Sequence, residues 1–186
     1  ITDFFDLKGD VETLMGLTRS EEKYSFAKAE HVSMHPGQCA QVVLLDGTVV
    51  GYVGALNPRI GRELALDDSI FVFELELKTL QLGTVPKAEL LSKFPAVGRD
   101  LAILVGSEIP AAQVLASVTD NAGQYLINSR IFDVYQGDGV EKGKKSIALG
   151  LTWQHPSRTL SDDEINSIIG SCVKGLQEQF NANLRN

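Results

Sequence analysis

The fold is decided by two apolar runs in the second half of the chain, Tyr125-Leu-Ile-Asn-Ser-Arg-Ile-Phe-Asp-Val-Tyr135 and Ser146-Ile-Ala-Leu-Gly-Leu-Thr-Trp-Gln154. Both contain β-branched and aromatic residues in alternation with smaller or polar ones, which is typical of strands. A third strand is predicted ahead of them at residues 100–106, and a short fourth one after them at residues 182–185.

Two helices are predicted between and after these strands. Pro110 opens the first, and its apolar residues recur at helical spacing. Ser161-Asp-Asp-Glu164 is a capping box, and the apolar residues from Ile165 to Phe180 follow it at helical period. The order βαββαβ predicts a ferredoxin-like domain, with two helices on one face of the sheet and the other face open.

The first half of the chain predicts an α+β segment, so the fold class is α+β throughout. A helix is expected at residues 6–17, and strands at 24–32, 41–45, 49–56 and 70–77, with Leu77 on the same face as Phe73. Asp46-Gly47 predicts a hairpin turn in which both residues have positive φ.

We expect domains at 1–82 and 92–186, joined by a linker at 83–91 that contains Gly83 and Pro86. Because residue 1 is Ile, we expect a fragment whose first domain lacks partner strands.

Composition excludes several classes of protein. The 186 residues are 44% hydrophobic, which excludes a disordered chain, and no apolar run reaches the ~18 residues that cross a bilayer. The amino end is not a signal peptide. Cys39 and Cys172 lie far apart, which fits a reducing compartment and predicts neither a disulfide framework nor a metal cage.

The charge is unevenly distributed. With 17 Lys+Arg against 24 Asp+Glu, the formal net charge of −7 argues against nucleic-acid binding over the whole surface. Residues 1–92 carry eight basic and fourteen acidic side chains, whereas residues 93–186 carry nine and ten. A local basic site is therefore allowed in the second half.

Strand alternation predicts which side chains point away from the helices. The bulky set on the later strand, from Ile147 to Trp153, must lie under the helices. On the earlier strand, Leu126, Phe132 and Val134 are expected on that same helix side, and Ile131, Asp133 and Tyr135 on the open side. If Tyr135 pairs with Ser146, then Asp133 pairs with Ala148 and the faces agree.

The predicted open face suits a planar heterocycle. It offers the Tyr135 ring, the Asp133 carboxylate, the Ser146 hydroxyl and a flat floor at Ala148 and Gly150. Stacking of a nucleic-acid base on one ring contributes ~1–3 kcal/mol. A carboxylate accepts two N–H donors from a guanine edge, and a hydroxyl hydrogen-bonds beside it. A solvated Asp and Tyr on an open sheet face is the alternative interpretation.

A glycine- and lysine-rich loop, residues 136–145, joins the two strands. Lys142, Lys144 and Lys145 are candidate phosphate contacts beside the stacking floor, with Arg130 nearby. The alternative is an ordinary solvated turn.

Other chemistry is not expected. His31, His35 and Cys39 straddle a strand end and a turn, where four-residue spacing does not converge on a metal, and His35 is expected to bond the local backbone. The sequence contains no nucleophile elbow, phosphate-binding loop or dinucleotide fingerprint, and we propose no catalytic residue.

Several ordered motifs resemble the carboxyl end of the bacterial phenylalanine–tRNA ligase beta subunit. In the second half they are Ser92-Lys-Phe-Pro-Ala-Val-Gly-Arg-Asp100, Ile131-Phe-Asp-Val-Tyr-Gln-Gly137, Lys144-Lys-Ser-Ile-Ala-Leu149, Arg158-Thr-Leu-Ser-Asp162 and Leu184-Arg185. In the first half they are Asp3-Phe-Phe-Asp-Leu-Lys-Gly-Asp-Val-Glu12, His35-Pro-Gly-Gln-Cys-Ala40, Gly51-Tyr-Val-Gly-Ala-Leu56 and Phe73-Glu-Leu-Glu76.

The resemblance implies a ferredoxin-fold anticodon-binding domain preceded by the end of a class II synthetase-like, non-catalytic module. It implies that Tyr135 stacks on the first anticodon guanine of phenylalanine tRNA, while Asp133 and Ser146 hydrogen-bond its edge. Aminoacylation with ATP and Mg²⁺ belongs to the alpha subunit of a cytoplasmic heterotetramer, so no cofactor or metal is expected in this chain. Gly98 departs from the family, which more often has an arginine there, and this puts Arg99 in doubt as a phosphate contact.

Two other functions remain open from the residues. A regulatory ferredoxin-like domain that binds a small molecule needs an interface at sheet or helix edges and has no use for Lys142–Lys145. A phosphate hydrolase on this fold needs an arginine–asparagine pair around an anion-binding loop, whereas the loop before the first helix carries Glu108.

Overall fold

The computed structural model describes residues 2–17, 24–66, 70–80 and 91–185. The chain divides into two compact units, residues 1–88 and 89–186. Residues 83–90 of the predicted linker lie outside the described part of the chain.

The first unit is an antiparallel sheet with a helix packed on it. Its strands are β1 (Tyr24–Lys28), β2 (Met34–Leu44), β3 (Val49–Leu56) and β4 (Phe71–Leu75), in the order β1-β2-β3-β4. Its helices are α1 (Phe4–Leu17), α2 (Pro58–Glu63) and α3 (Leu77–Leu80). Val11 and Met15 of α1 are buried in one core with Val42, Val50 and Val53 of the sheet, which explains why the short strands hold together.

Several details of this unit differ from the sequence-based expectations: β1 ends at Lys28 instead of residue 32, and β2 begins at Met34 instead of residue 41. Gly47 alone has positive φ in the β2–β3 turn, at 86°. The N–H of Leu44 donates to Thr48 O and that of Gly47 to Leu44 O, both at 2.9 Å, so the connection has three residues and needs one left-handed position rather than two. Leu77 begins α3 instead of extending β4.

The second unit has the predicted βαββαβ order. Its elements are β5 (Val97–Gly106), α4 (Ala111–Asn121), β6 (Leu126–Tyr135), β7 (Lys144–Trp153), α5 (Asp162–Phe180) and β8 (Asn183–Leu184). The sheet order is β6-β7-β5-β8, and every pair is antiparallel. This is the ferredoxin-like arrangement, and the α+β fold class is confirmed.

One face of this sheet is covered by both helices. Trp153 is fully buried among residues of α4 and α5, and its indole N–H donates to Ala122 O at 2.9 Å. Ile147, Leu149 and Leu151 are buried on the same side. The opposite side, which we call the helix-free face, is therefore the surface left for binding.

The start and end of α5 are fixed by local hydrogen bonds. Ser161 and Glu164 form the predicted capping box, and Arg158 donates to both oxygens of the Glu164 carboxylate at 2.7 and 2.5 Å. The Arg158 hydrogen bonds, followed by that from the Ser161 N–H, lower the pKa of Glu164 from 4.5 to about 2. Asn181, with φ of 51°, ends the helix in the left-handed region and directs the chain into β8.

Candidate nucleic-acid interface

The β6–β7 ladder forms the centre of the helix-free face. Tyr135 pairs with Ser146 and Asp133 pairs with Ala148, as alternation predicts. Arg130 pairs with Gly150 four residues further along β7. Because paired residues point to the same side of a sheet, all of these side chains lie on the helix-free face.

Two β-bulges in β6 change the predicted faces. The register slips between Leu126 and Asn128 and again between Ile131 and Asp133. Ile131 consequently pairs with buried Leu149 and packs against the core, whereas Phe132 is the extra residue and is 51% exposed. The expectations that Ile131 lies on the open face and Phe132 under the helices are both wrong, since each bulge inserts one residue into the two-residue period.

The Tyr135 ring is held in place from two directions. Its hydroxyl donates to Asp138 O at 3.2 Å, and the ring passes so close to Gly137 that a Cβ there would lie 2.6 Å from the hydroxyl oxygen. The Arg185 guanidinium carbon lies 5.8 Å from the ring centroid, within cation–π distance. With 37% of its surface exposed, Tyr135 is an ordered aromatic platform at the edge of the helix-free face.

Asp133 and Ser146 differ in how much of each side chain is exposed to solvent. Asp133 is exposed, and within the described residues its carboxylate has no hydrogen-bond or ion-pair partner. Ser146 is only 5% exposed, and its neighbours across the ladder on the helix-free face are Tyr135 and Leu104. The carboxylate is open to a ligand, whereas the hydroxyl is covered in this conformation.

The basic residues predicted beside the floor do not form one cluster. Lys142 is exposed and has no partner among the described residues, but Lys144 pairs with Glu141 at 2.7 Å. Lys145 pairs with buried Val105, on the helix side of the sheet, and its ammonium donates to Ser107 O at 3.0 Å. Of the three lysines, Lys142 is therefore the one whose ammonium is available to bind a phosphate. Lys142 also lines a hollow of about 470 Å³ beside the β6–β7 loop.

Sequence reasoning missed three polar residues on this face. Arg185 follows β8, whose Leu184 pairs with core residue Ile103, so the next side chain turns to the helix-free face. Asp100 pairs with Gly150 and Asn128 with Thr152, which brings both to the same surface. Alternation gives the side of Arg185 and Asp100, but Asn128 follows a bulge that the sequence does not reveal.

The histidines serve local structure. His35 Nδ1 accepts a hydrogen bond from the N–H of Gly37 at 3.0 Å, as predicted, but both residues lie in β2, where its register with β3 shifts between Met34 and Cys39, and not in a turn. In the parts of the chain that the structure describes, no three His, Cys, Asp or Glu side chains are grouped to hold a metal ion. No helix among the described residues is long and apolar enough to cross a membrane.

Comparison with known proteins gives two family matches. Residues 92–185 match the ferredoxin-fold anticodon binding domain, and residues 1–77 match the phenylalanyl tRNA synthetase beta chain CLM domain. The phenylalanine–tRNA ligase beta subunit of Pseudomonas fluorescens (strain Pf0-1) is 46% identical over 183 residues, and that of Coxiella burnetii is 44% identical over 184. In both cases the alignment covers 98% of this chain and 23% of the relative, so the chain spans about a quarter of the length of these relatives.

Proposed function

The chain belongs to the ferredoxin-fold anticodon-binding family and carries the CLM domain of phenylalanine–tRNA ligase beta subunits, and from this membership we propose that its second unit binds the anticodon of phenylalanine tRNA. The observation that supports this most directly is the ladder register. It sets an exposed ring and an unpaired carboxylate side by side on the helix-free face, next to a floor of small residues.

In this proposal the first anticodon guanine stacks on Tyr135. The Asp133 carboxylate accepts hydrogen bonds from the guanine N1–H and N2 amino group. Adenine has an acceptor at N1 and no 2-amino group, so a carboxylate facing it is left unpaired. A good bidentate contact of this kind discriminates by ~1–3 kcal/mol. Specificity therefore comes from Asp133, and affinity mainly from the ring.

Ser146 and Arg185 have supporting roles in the proposal. Ser146 is Tyr135's partner in the ladder but is only 5% exposed, so its hydroxyl adds one hydrogen bond to the base edge after a small local movement that uncovers it while the Tyr135 ring stays in place. Arg185 contributes a planar cation at the ring, which adds stacking and a positive charge where the RNA backbone approaches.

Phosphate contacts are few in this proposal. Lys142 is available at the loop, whereas the ammonium groups of Lys144 and Lys145 would first have to leave Glu141 and Ser107. Arg130 lies four residues of β7, ~13 Å, from the Tyr135 row and two residues, ~7 Å, from the Asp133 row, so it is a peripheral phosphate contact in this proposal. The unit therefore reads a base with little electrostatic support.

The remaining functions belong to the longer proteins that this chain resembles. We propose that the chain supports ATP- and Mg²⁺-dependent aminoacylation carried out in an alpha subunit, as part of a heterotetramer. No catalytic residue or cofactor is assigned to the chain itself.

The test is a titration of the chain with anticodon stem-loops that carry guanine or adenine at the first anticodon position, at low salt. Tyr135→Ala is expected to weaken guanine-loop binding about 5- to 150-fold, which corresponds to ~1–3 kcal/mol of stacking. Asp133→Ala is expected to reduce the guanine-to-adenine affinity ratio. Phe132→Ala is the matched control, because Phe132 is an exposed ring on the same strand that the bulge turns out of the ladder.

The proposal fails if Tyr135→Ala binds the guanine loop as the unmutated chain does. It also fails if Phe132→Ala lowers the affinity as much as Tyr135→Ala, since the loss would then not be specific to the proposed platform.

A further inference from the structure

Two Asp–Gly dipeptides occur in the sequence, Asp46-Gly47 and Asp138-Gly139. Both are exposed and connect paired strands, the first between β2 and β3 and the second between β6 and β7. Because the residue after each Asp has no side chain, its backbone nitrogen can approach the Asp carboxyl group closely. An aspartate in this position can isomerise without an enzyme or a cofactor, so the surroundings of each dipeptide decide which of them reacts.

The reaction needs only water. The Gly backbone nitrogen attacks Cγ of the protonated Asp carboxyl group, so that a C–N bond forms, a C–O bond breaks and water leaves with the proton of the nitrogen. Water then opens the resulting succinimide ring. Attack at Cγ restores aspartate, whereas attack at the former backbone carbonyl leaves isoaspartate, in which the chain runs through the side chain. The product is an isomer of the original chain with an extra backbone atom, and nothing is oxidised or reduced.

The first dipeptide is held in an unreactive geometry. Asp46 Oδ1 accepts from the Thr48 N–H at 2.9 Å, and the Gly47 N–H donates to Leu44 O at 2.9 Å. Hydrogen bonding from the Thr48 backbone also lowers the pKa of Asp46, which favours the ionised form that does not lose its oxygen as water. Both reacting groups of this dipeptide are therefore engaged elsewhere.

The second dipeptide has no such restraints. Within the described residues, the Asp138 carboxylate has no hydrogen-bond or ion-pair partner, and the Gly139 N–H donates to no acceptor. Gly139, with φ of 84°, is the third residue of a turn that the Val140 N–H closes on Gly137 O at 3.1 Å. The nitrogen and the carboxyl group that must meet are thus both free to rotate.

We propose that Asp138 is a site of spontaneous isoaspartate formation and that the product disables the Tyr135 platform. The second part rests on the proposed function, because it concerns the ring on which the base stacks. Asp138 O accepts the hydrogen bond of the Tyr135 hydroxyl at 3.2 Å. In isoaspartate this oxygen belongs to a free carboxylate, and the extra backbone atom alters the turn that positions it. The negative charge therefore moves from an exposed side chain to the edge of the ring, where RNA would approach.

The Arg185 guanidinium lies close enough to respond to the new charge. Its Nη2 is 3.8 Å from the position of a Cβ on Gly139, and its Cζ is 5.8 Å from the centroid of the Tyr135 ring. Among the described residues, this guanidinium has no hydrogen-bond or ion-pair partner. A carboxylate in the backbone at residue 138 offers the cation an anionic partner that competes with the ring. Both changes act against stacking of a base on Tyr135.

The first measurement follows isoaspartate at the two dipeptides in the same molecule. The purified 186-residue chain is incubated in mildly acidic buffer at physiological temperature, either folded or unfolded in urea. Mass spectrometry with electron-transfer fragmentation then quantifies isoaspartate in the peptides that contain Asp46 and Asp138. Because two hydrogen bonds hold the reacting groups of the first dipeptide, isoaspartate should form about 5- to 150-fold faster at Asp138 in the folded chain. In urea the two rates should be similar.

The second measurement is the affinity for the guanine stem-loop before and after incubation. The isoaspartate fraction of the chain is expected to bind about 2- to 13-fold more weakly, the range of one lost hydrogen bond. Asp138→Glu is the matched control, because it keeps the charge but would have to form a larger ring, and it should keep its own initial affinity. Treatment with an isoaspartyl methyltransferase and S-adenosylmethionine, which returns isoaspartate to the succinimide, should restore binding by the unmutated chain.

The outcomes separate this inference from the function on which it partly rests. Equal rates at Asp46 and Asp138 in the folded chain, or a ratio that urea leaves unchanged, would overturn the modification site. If isoaspartate forms at Asp138 and the affinity stays the same, while Tyr135→Ala still weakens binding, the effect on the platform is refuted and the anticodon proposal stands. If Tyr135→Ala has no effect either, the proposed function and the effect on the platform are both refuted, and the ratio of rates alone decides the modification site.

Discussion

Gly137→Ala tests whether the geometry of the Tyr135 ring matters for binding. A Cβ at residue 137 would lie 2.6 Å from the Tyr135 hydroxyl oxygen and 2.9 Å from the ring carbon that bears it. The backbone of Gly137 has no positive φ, so alanine fits the chain itself. The ring must therefore move, and its hydrogen bond to Asp138 O is lost.

The expected magnitude follows from these two effects. Loss of one exposed hydrogen bond that orders the ring removes ~0.5–1.5 kcal/mol. Displacement of the platform removes at most the stacking energy, ~1–3 kcal/mol. We expect Gly137→Ala to weaken guanine-loop binding by ~0.5–3 kcal/mol. The free energy of unfolding should fall by no more than that hydrogen bond contributes, because the new contact is with the far end of a partly exposed side chain.

The assay is fluorescence anisotropy of a labelled guanine stem-loop with a double-mutant cycle. In a Tyr135→Ala background, Gly137→Ala should have no further effect, because the ring it displaces is absent. Gly170→Ala is the control: this helical glycine has nothing within 4 Å of a new Cβ, and the substitution should leave binding unchanged while slightly stabilising α5. Unchanged binding by Gly137→Ala, or losses that add with those of Tyr135→Ala, would refute the reasoning.

Three further predictions concern charge and packing. Lys142→Ala should reduce by about 0.7 the slope of the logarithm of the RNA-binding constant against the logarithm of the salt concentration, and Lys145→Ala should leave that slope unchanged. If the two variants have the same slope, Lys142 is not a phosphate contact. The pKa of Glu164 is lowered on folding, so its contribution to stability is present above pH 4.5 and is lost as pH falls towards 2. The free energy of unfolding should therefore fall less between pH 4.5 and 2 in Glu164→Gln than in the unmutated chain, and the same pH dependence in both would contradict this. Trp153→Phe should cost ~2–4 kcal/mol in urea unfolding, because it leaves Ala122 O unpaired and a cavity behind; a loss below ~0.5 kcal/mol would mean that the core re-forms around the ring.

The sequence was sufficient for the order of elements in the second unit. Apolar periodicity and the capping box at Ser161 depend on local physics, and both are strong there. The register of Tyr135 with Ser146 also followed, because a bulky core face on β7 leaves one consistent pairing.

The bulges and the lysine loop were not predictable in the same way. A bulge depends on the ladder of both strands together, so the sequence around Ile131 and Phe132 carried no sign of the slip. The fate of each lysine depends on which acceptor lies near its long side chain. Glu141 is three residues from Lys144 in sequence. Ser107, whose carbonyl accepts from Lys145, is distant in sequence and comes close only because β5 and β7 are paired.

The bulges of β6 also interrupt the outer edge of this sheet. β6 is an edge strand, and an edge with a regular row of free N–H and C=O groups invites the addition of another strand. Ile127 and Phe132 are the extra residues at the two register slips, 56% and 51% exposed, and each interrupts the regular spacing of those groups. Deleting Phe132 would leave Asp133 and Tyr135 on the helix-free face and would restore a regular edge at this point, so we expect the deletion variant to self-associate more readily than the unmutated chain while its base site is retained.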